Sequence, residues 1–287
     1  MNIETYLKER YTLKTTAVYK SDIETYLKLC PQGETALLKD IIGYIGILRS
    51  RYSNPKTINR ILASLKAYYE FLNRTGKRKD NPCKAIRLRD KQNRDIQLQD
   101  LFTSQELESL LERKERFRLL VNRNKVLTGL LIYQGLKPDE IARITLQDIN
   151  LKEATIYIKG SEKTGNRALS LKPHQIMLLH EYMEQARKEL VKTPSEESLL
   201  IGSTGEPMKG EDISKHVQRS FKDRFKGRKV NCQSIRQSVI TNLLKAGNDL
   251  RIVQVFAGHK YPSTTEKYKQ TGVEALKTAI QNYHPMR

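Results

Sequence analysis

The chain has 287 residues, with 52 Lys and Arg against 32 Asp and Glu and a formal net charge of +20. That length suits two domains, and an apolar share of 38% is enough for compact cores. No run approaches the ~20 apolar residues of a membrane span, MNIETYLKERY lacks the apolar stretch of a secretory signal, and three scattered cysteines (Cys30, Cys83, Cys232) exclude a disulfide framework and zinc-ligand spacing. A soluble cytoplasmic protein with no membrane partner is expected.

The first part reads as helices. Thr15 to Leu29 carries Val18, Ile23, Tyr26 and Leu27 as one stripe, and Glu34 to Leu48 carries Leu37, Leu38, Ile41, Ile42, Ile45 and Leu48. Lys56 to Leu72 places Ile58, Ile61, Leu62, Leu65, Tyr68, Tyr69 and Leu72 at helical spacing. Ser53-Asn54-Pro55 starts that helix and Asn73 to Gly76 stops it. A four-helix module over 1–90 is the simplest account, followed by a linker without an apolar stripe at 91–101.

A second domain is expected over 102–287. Thr103 to Glu106 forms a capping box, Leu127 to Tyr133 is a strongly apolar helix ending at Gly135, and Pro138 starts another. The period then changes. Residues 154–159 and 167–171 alternate like strands around a turn at Gly160 to Asn166, which makes a hairpin. Helices return at 174–190, 211–222, 233–246, 249–257 and 273–282. The fold class is mainly α with a small antiparallel sheet.

The charge is uneven. Residues 1–50 are nearly balanced, whereas 51–98 hold 13 bases against 4 acids. A concentrated excess of this kind points to nucleic acid. A membrane surface would also attract it, but no segment pairs the charge with a broad apolar face carrying Trp. Lys56 and Arg60, one turn apart near a helix start, suit a major groove and plain solvation equally. Lys77, Arg78 and Lys79 suit phosphate backbone.

Glycine-rich phosphate loops are absent, and the five histidines show no paired ligand spacing. No metal or other cofactor is expected. What remains is a carboxy-terminal constellation: Gln233-Ser234-Ile235-Arg236, Ala257-Gly258-His259-Lys260, and Tyr268. Each alone has a bland explanation as salt-bridge partner, helix cap or core filler.

Together they resemble the tyrosine recombinases, the phage integrases and Xer-type resolvases. The likeness runs through Thr57 to Tyr69 with Asn81-Pro82, Leu131 to Ile141 with Asp148-Ile149, the hairpin around Lys163-Thr164-Gly165, Ser234-Ile235-Arg236, Leu250 to Gln254 with Gly258-His259, and Ser263 to Tyr268. The resemblance implies a helical, SAM-like core-binding amino-terminal domain and a mixed α/β catalytic domain that together clamp double-stranded DNA. It also implies catalytic Lys163, Arg236 and His259 and the nucleophile Tyr268, with Lys159 a second candidate for the hairpin lysine. The chain departs from the family at two positions: Lys137 stands where the first catalytic Arg is expected, and Gln233 where the first His of His-x-x-Arg is expected.

In the family chemistry Tyr268 attacks a DNA phosphate, leaving a 3′-phosphotyrosyl bond and a free 5′-hydroxyl. The phosphodiester energy is conserved, so neither ATP nor metal is needed. Arg236 and His259 would meet the charge of the transition state, and Lys163 would protonate the leaving oxygen. Lys137 keeps a positive charge but loses the planar two-point grip. Gln233 can donate but cannot take up a proton near neutral pH. A slowed or assembly-dependent enzyme is therefore expected, acting as a homotetramer on a mobile-element end or invertible segment. In that assembly a terminal helix carrying Val273, Leu276, Ala279 and Ile280 would pack into a neighbouring protomer. Two rival readings are a DNA-binding regulator on a recombinase scaffold, and a type IB topoisomerase-like enzyme lacking sequence specificity.

Overall fold

Four helices, α1 (Ile3–Arg10), α2 (Leu13–Leu29), α3 (Leu38–Arg51) and α4 (Pro55–Arg74), make up the described amino-terminal part. The computed structural model describes residues 2–90, 100–162 and 164–268, and the chain divides into two units, Met1–Arg94 and Asp95–Arg287. Most of the expected linker and the expected helix 273–282 lie outside the described residues.

α4 starts where Asn54 Oδ1 accepts the Lys56 N–H at 3.0 Å, with Pro55 supplying a fixed φ. All seven apolar positions expected to face inward along α4 are buried. The Tyr69 hydroxyl donates to the Gly33 carbonyl at 2.6 Å, so the Tyr26 hydroxyl, 2.7 Å away, must donate to Tyr69. This chain of hydroxyls ties α2 to α4.

Two expected stripes shift. In α2 the buried side chains are Thr16, Ile23 and Tyr26, and Val18 stands 38% exposed because it lies out of phase with them. α3 begins at Leu38 rather than near Glu34, since the Asp40 carboxylate accepts the Leu37 N–H at 2.8 Å and fixes the start there. Ile41, Tyr44, Ile45 and Leu48 then face inward, which leaves Leu37, Leu38 and Ile42 exposed.

In the second unit, α5 (Ser104–Glu108) has the expected reciprocal cap between Thr103 and Glu106. α6 (Arg118–Tyr133) ends at Gly135, whose φ of 57° lets the chain reverse. α7 (Pro138–Ile141) is a single turn. The sheet has three strands in the order β1 (Ile149–Asn150), β2 (Thr155–Ile158), β3 (Arg167–Ser170), all antiparallel, with Ile156 opposite both Ile149 and Leu169. β1 is the strand that alternation could not reveal, because two residues carry no period.

α8 (Pro173–Glu181) continues through a π-helical turn at Tyr182–Ala186 into α9 (Arg187–Leu190). α10 (Gly210–Ser220), α11 (Cys232–Lys245), α12 (Leu250–Ala257) and α13 (Pro262–Glu266) complete the described unit. Leu127, Leu130, Leu131 and Leu136 around α6, Ile156 and Ile158 of β2, and Ile235 of α11 share one buried cluster. That cluster fixes the ends of α6, α11 and the hairpin beside each other. No helix among the described residues is long and apolar enough to cross a membrane.

Candidate active site

An open cavity of about 480 Å³ in the second unit is lined by Lys137, Glu162, Gln233, Arg236, His259, Lys260, Tyr261, Thr264 and Tyr268. Five of the six residues singled out as catalytic therefore share one hollow. The sixth, Lys163, lies outside the described residues, but its chain neighbour Glu162 lines the cavity. On its other side Thr164 pairs in a β-bridge with His259.

Arg236 is the hub. It sits in the second turn of α11, whose start is fixed by mutual Asn231–Ser234 hydrogen bonds of 2.9 and 3.0 Å. The residue is 3% exposed. Nη1 donates to the Gly135 carbonyl at 2.6 Å, and Nη2 donates to the Ala257 carbonyl at 2.6 Å and to His259 Nε2 at 3.2 Å. Three of its five N–H groups are thus used to hold the turn after α6, the end of α12 and His259. Among the described residues, Nε–H and one Nη1–H have no hydrogen-bond partner.

Beneath Arg236 lies a buried network that the sequence reading missed. The Glu140 carboxylate accepts two hydrogen bonds from Arg167, at 3.1 and 3.0 Å, and the Lys137 N–H at 2.9 Å, with Arg236 Nη1 3.9 Å away. Burial pushes the Glu140 pKa up, but the Arg167 hydrogen bonds and charge, the Lys137 N–H and Arg236 outweigh it and hold the carboxyl below its usual range. Arg167 lies under Gly258, where a Cβ would come within 2.4 Å of its Nη1 and where φ is 66°. Glycine is required there both for the left-handed turn and for the room. The signal for Arg167 was present: β3 buries Arg167 and Leu169 on the same face, and a charge on the inward phase of a strand needs a partner.

His259 receives the Arg236 N–H at Nε2, and Nδ1 lies 2.9 Å from Thr265 Oγ1. Arginine can only donate, so the ring is neutral with its proton on Nδ1. Its ring stacks on that of Tyr268, with centroids 5.9 Å apart and planes at 18°. Burial, then the nearby charges of Arg236, Lys137 and Arg167, brings the His259 pKa down to about 4. Burial also raises the Tyr268 pKa, opposed by Arg236.

The hairpin loop is docked against this segment. Gly165 N–H donates to the Gly258 carbonyl at 3.3 Å, and Ser161 and Thr164 close the loop by mutual backbone bonds. Lys159, the second candidate for the hairpin lysine, is 3.1 Å from Asp148 and does not line the cavity. Gln233 is exposed at the cavity wall, and Lys137 is half-buried at the cap of α7.

The expected DNA contacts of the amino-terminal unit divide. Lys56, Lys77 and Lys79 are exposed, while exposed Arg60 pairs with Asp22 of α2. Arg78 is half-buried and committed locally: it bonds to Asp80 at 2.6 and 3.1 Å and to the Glu34 carbonyl at 2.9 Å, and lies over the Tyr69 ring.

A pH dependence of stability arises from His259 together with His216, which burial also lowers to about 4. Unfolded, both bind protons below 6.5; folded, they do so only near 4. Stability is therefore complete above 6.5 and falls as the pH drops toward 4. Between 6.5 and 4.5, above the ordinary carboxylate range, the thermal midpoint should fall, and His216→Gln should flatten the fall. A wild-type midpoint constant over that window would contradict the assignment.

A model of the phage integrase family matches residues 100–274. The chain is 28% identical to the tyrosine recombinase XerD of Oceanobacillus iheyensis over 94% of this chain and 92% of that one. It is 26% identical to the tyrosine recombinase XerC of Lactobacillus delbrueckii subsp. bulgaricus over 98% and 97%. Among solved structures, the Tn1549 transposon integrase in complex with transposon right end DNA superposes with a TM-score of 0.70 at 18% identity, over 99% of both chains. XerH recombinase bound to difH substrate superposes with a TM-score of 0.68 at 21% identity, over 86% of this chain and 72% of that one. These two likenesses are of fold.

Proposed function

Since the chain belongs to the phage integrase family, we propose that it is a site-specific recombinase that cuts and rejoins double-stranded DNA through Tyr268. The observation that carries this reading is the shared cavity, which is lined by Lys137, Gln233, Arg236, His259 and Tyr268 and in which His259 stacks on Tyr268.

Tyr268 Oη attacks the phosphorus and forms a 3′-phosphotyrosyl bond as the bond to the 5′-oxygen breaks. The leaving oxygen takes a proton from Lys163. The phenolic proton passes to water, or to His259 Nε2 once that nitrogen releases the Arg236 N–H. Arg236 and Lys137 meet the charge that gathers on the non-bridging oxygens, and Gln233 donates a hydrogen bond at the cavity wall. Rejoining is the same step reversed, with the 5′-hydroxyl of a partner strand as nucleophile. The basic residues of the amino-terminal unit, Lys56, Arg60, Lys77 and Lys79 among them, bind backbone phosphate and give a steep salt dependence. The working form is a homotetramer on two DNA sites, and the substrate is a mobile-element end or an invertible segment.

The test is covalent trapping on nicked duplexes from the DNA flanking the gene. Wild type should give a protein–DNA adduct stable to denaturation, and Tyr268→Phe should give none. Lys137→Arg should raise the adduct yield or rate about tenfold, the order of a recovered part of one lost oxyanion donor. DNA that is bound with specificity but never captured by wild type or by the Lys137→Arg/Gln233→His protein would move the reading to a DNA-binding regulator. Relaxation of plasmid lacking any cognate site would move it to a topoisomerase.

A further inference from the structure

Thr265 occupies a position that no part of the chemistry above uses. It is fully buried in α13, three residues before Tyr268. Its side chain and its backbone make contact with two different members of the site. Oγ1 lies 2.9 Å from His259 Nδ1, and its carbonyl accepts the Tyr268 N–H at 2.9 Å. One residue thus spans from the ring of His259 to the backbone of the nucleophile.

We propose that Thr265 is a positioning residue for strand cleavage: its hydroxyl fixes which nitrogen of His259 carries the proton and holds that ring in register with the Tyr268 segment. The proposal rests on the recombinase reading for its effect on rate, but not for its effect on the ring.

The argument follows from counting donors. Arg236 Nη2 faces His259 Nε2 at 3.2 Å and can only donate. Nε2 must therefore accept, and the ring proton must lie on Nδ1. A buried N–H without an acceptor is costly, and the acceptor here is Thr265 Oγ1. Without that oxygen the ring gains by moving its proton to Nε2, which sets an N–H against the Arg236 N–H. The contact between Arg236 and His259 then breaks, and with it the brace that holds the ring against Tyr268. The tautomer of a histidine is set by the partner of its other nitrogen, and here that partner belongs to the nucleophile segment. An undocked Tyr268 segment would release His259 as well, so the acceptor is in place only when the nucleophile is.

Thr265→Val keeps the shape and removes the hydroxyl, and Thr265→Ser restores it without the methyl. The ring nitrogens of His259 are read by two-bond proton–nitrogen correlation on the full-length chain, assigned by the signal lost in His259→Gln. Wild type and Thr265→Ser should show the Nδ1–H form, and Thr265→Val should show a large share of Nε2–H. On cognate DNA, Thr265→Val should bind within about twofold of wild type but form adduct ten- to a hundredfold more slowly, about the cost of losing a group that orients a functional histidine. Thr265→Ser should recover to within about threefold. An unchanged tautomer in Thr265→Val overturns the proposal, as does a Thr265→Ser protein as slow as Thr265→Val, since both would reduce Thr265 to packing. If wild type forms no adduct, the recombinase reading fails on its own account and the spectrum alone still decides the role of Thr265. If Thr265→Val does not fold, Thr265→Ala takes its place in the same comparison.

Discussion

Replacing Arg236 by Lys is expected to slow adduct formation by roughly 10³, at the upper end of what one oxyanion donor supplies, while DNA affinity changes only severalfold. Lysine keeps one positive charge but has no second arm. It cannot hold the Gly135 and Ala257 carbonyls and His259 together and still present an N–H to a phosphate. The folded state should survive the change, because Glu140 remains neutralised by Arg167 through two hydrogen bonds. Single-turnover trapping at saturating protein separates rate from affinity. A variant that cleaves within tenfold of wild type would mean that phosphate is gripped elsewhere in the cavity, and Arg236 would then be a brace for the loops it touches.

The parts of the site and of the fold that were legible in the sequence are those with fixed spacing. His259 and Tyr268 stand nine residues apart, Gly258 precedes the His, and α4 has a clean helical period with Asn54-Pro55 at its start. Spacing reports local structure, and all of these features are local. What stayed hidden depends on residues distant in sequence. Arg167 and Glu140 are 27 positions apart and meet only because the fold brings β3 to α7. Thr265 was read only as part of the segment leading to Tyr268, and its burial comes from the docking of α13 on α12. The exposed Leu37, Leu38 and Ile42 were misread because a stripe gives the face of a helix but not where its first turn begins. That start depends on one cap from Asp40.

Lys137 gains meaning from the same network. The resemblance expects an Arg at this position; whatever the side chain does, the backbone N–H is held by Glu140 at 2.9 Å as the cap of α7. The position of Lys137 is therefore set by a carboxylate that Arg167 orients, and positioning can be separated from charge.

That separation underlies the second large effect. Arg167→Met should destabilise the second unit by about 3–5 kcal/mol, the usual cost of removing one partner of a buried ion pair. Glu140 would be left 3% exposed with Arg236 at 3.9 Å and the Lys137 N–H as its compensation. Glu140→Leu alone should cost a similar amount, since it strands the Arg167 guanidinium, whose Nε already has no partner among the described residues. The double replacement Glu140→Leu/Arg167→Met should recover part of the loss, because neither member of that pair is then orphaned, although Arg236 still loses the carboxylate 3.9 Å from its Nη1. With no Trp in the chain, the measurement is hydrogen exchange at the amides of α7 and β3 together with denaturant melts followed by circular dichroism. Single variants costing under ~1 kcal/mol would show that the pair is not the anchor its burial indicates. Activity should part from stability in the double variant: it folds, but Lys137 has lost the acceptor of its N–H, so adduct formation stays slow. If both recover together, the cap at Lys137 is set by Pro138 and the packing of Ile141, and Glu140 matters only as a charge that had to be matched.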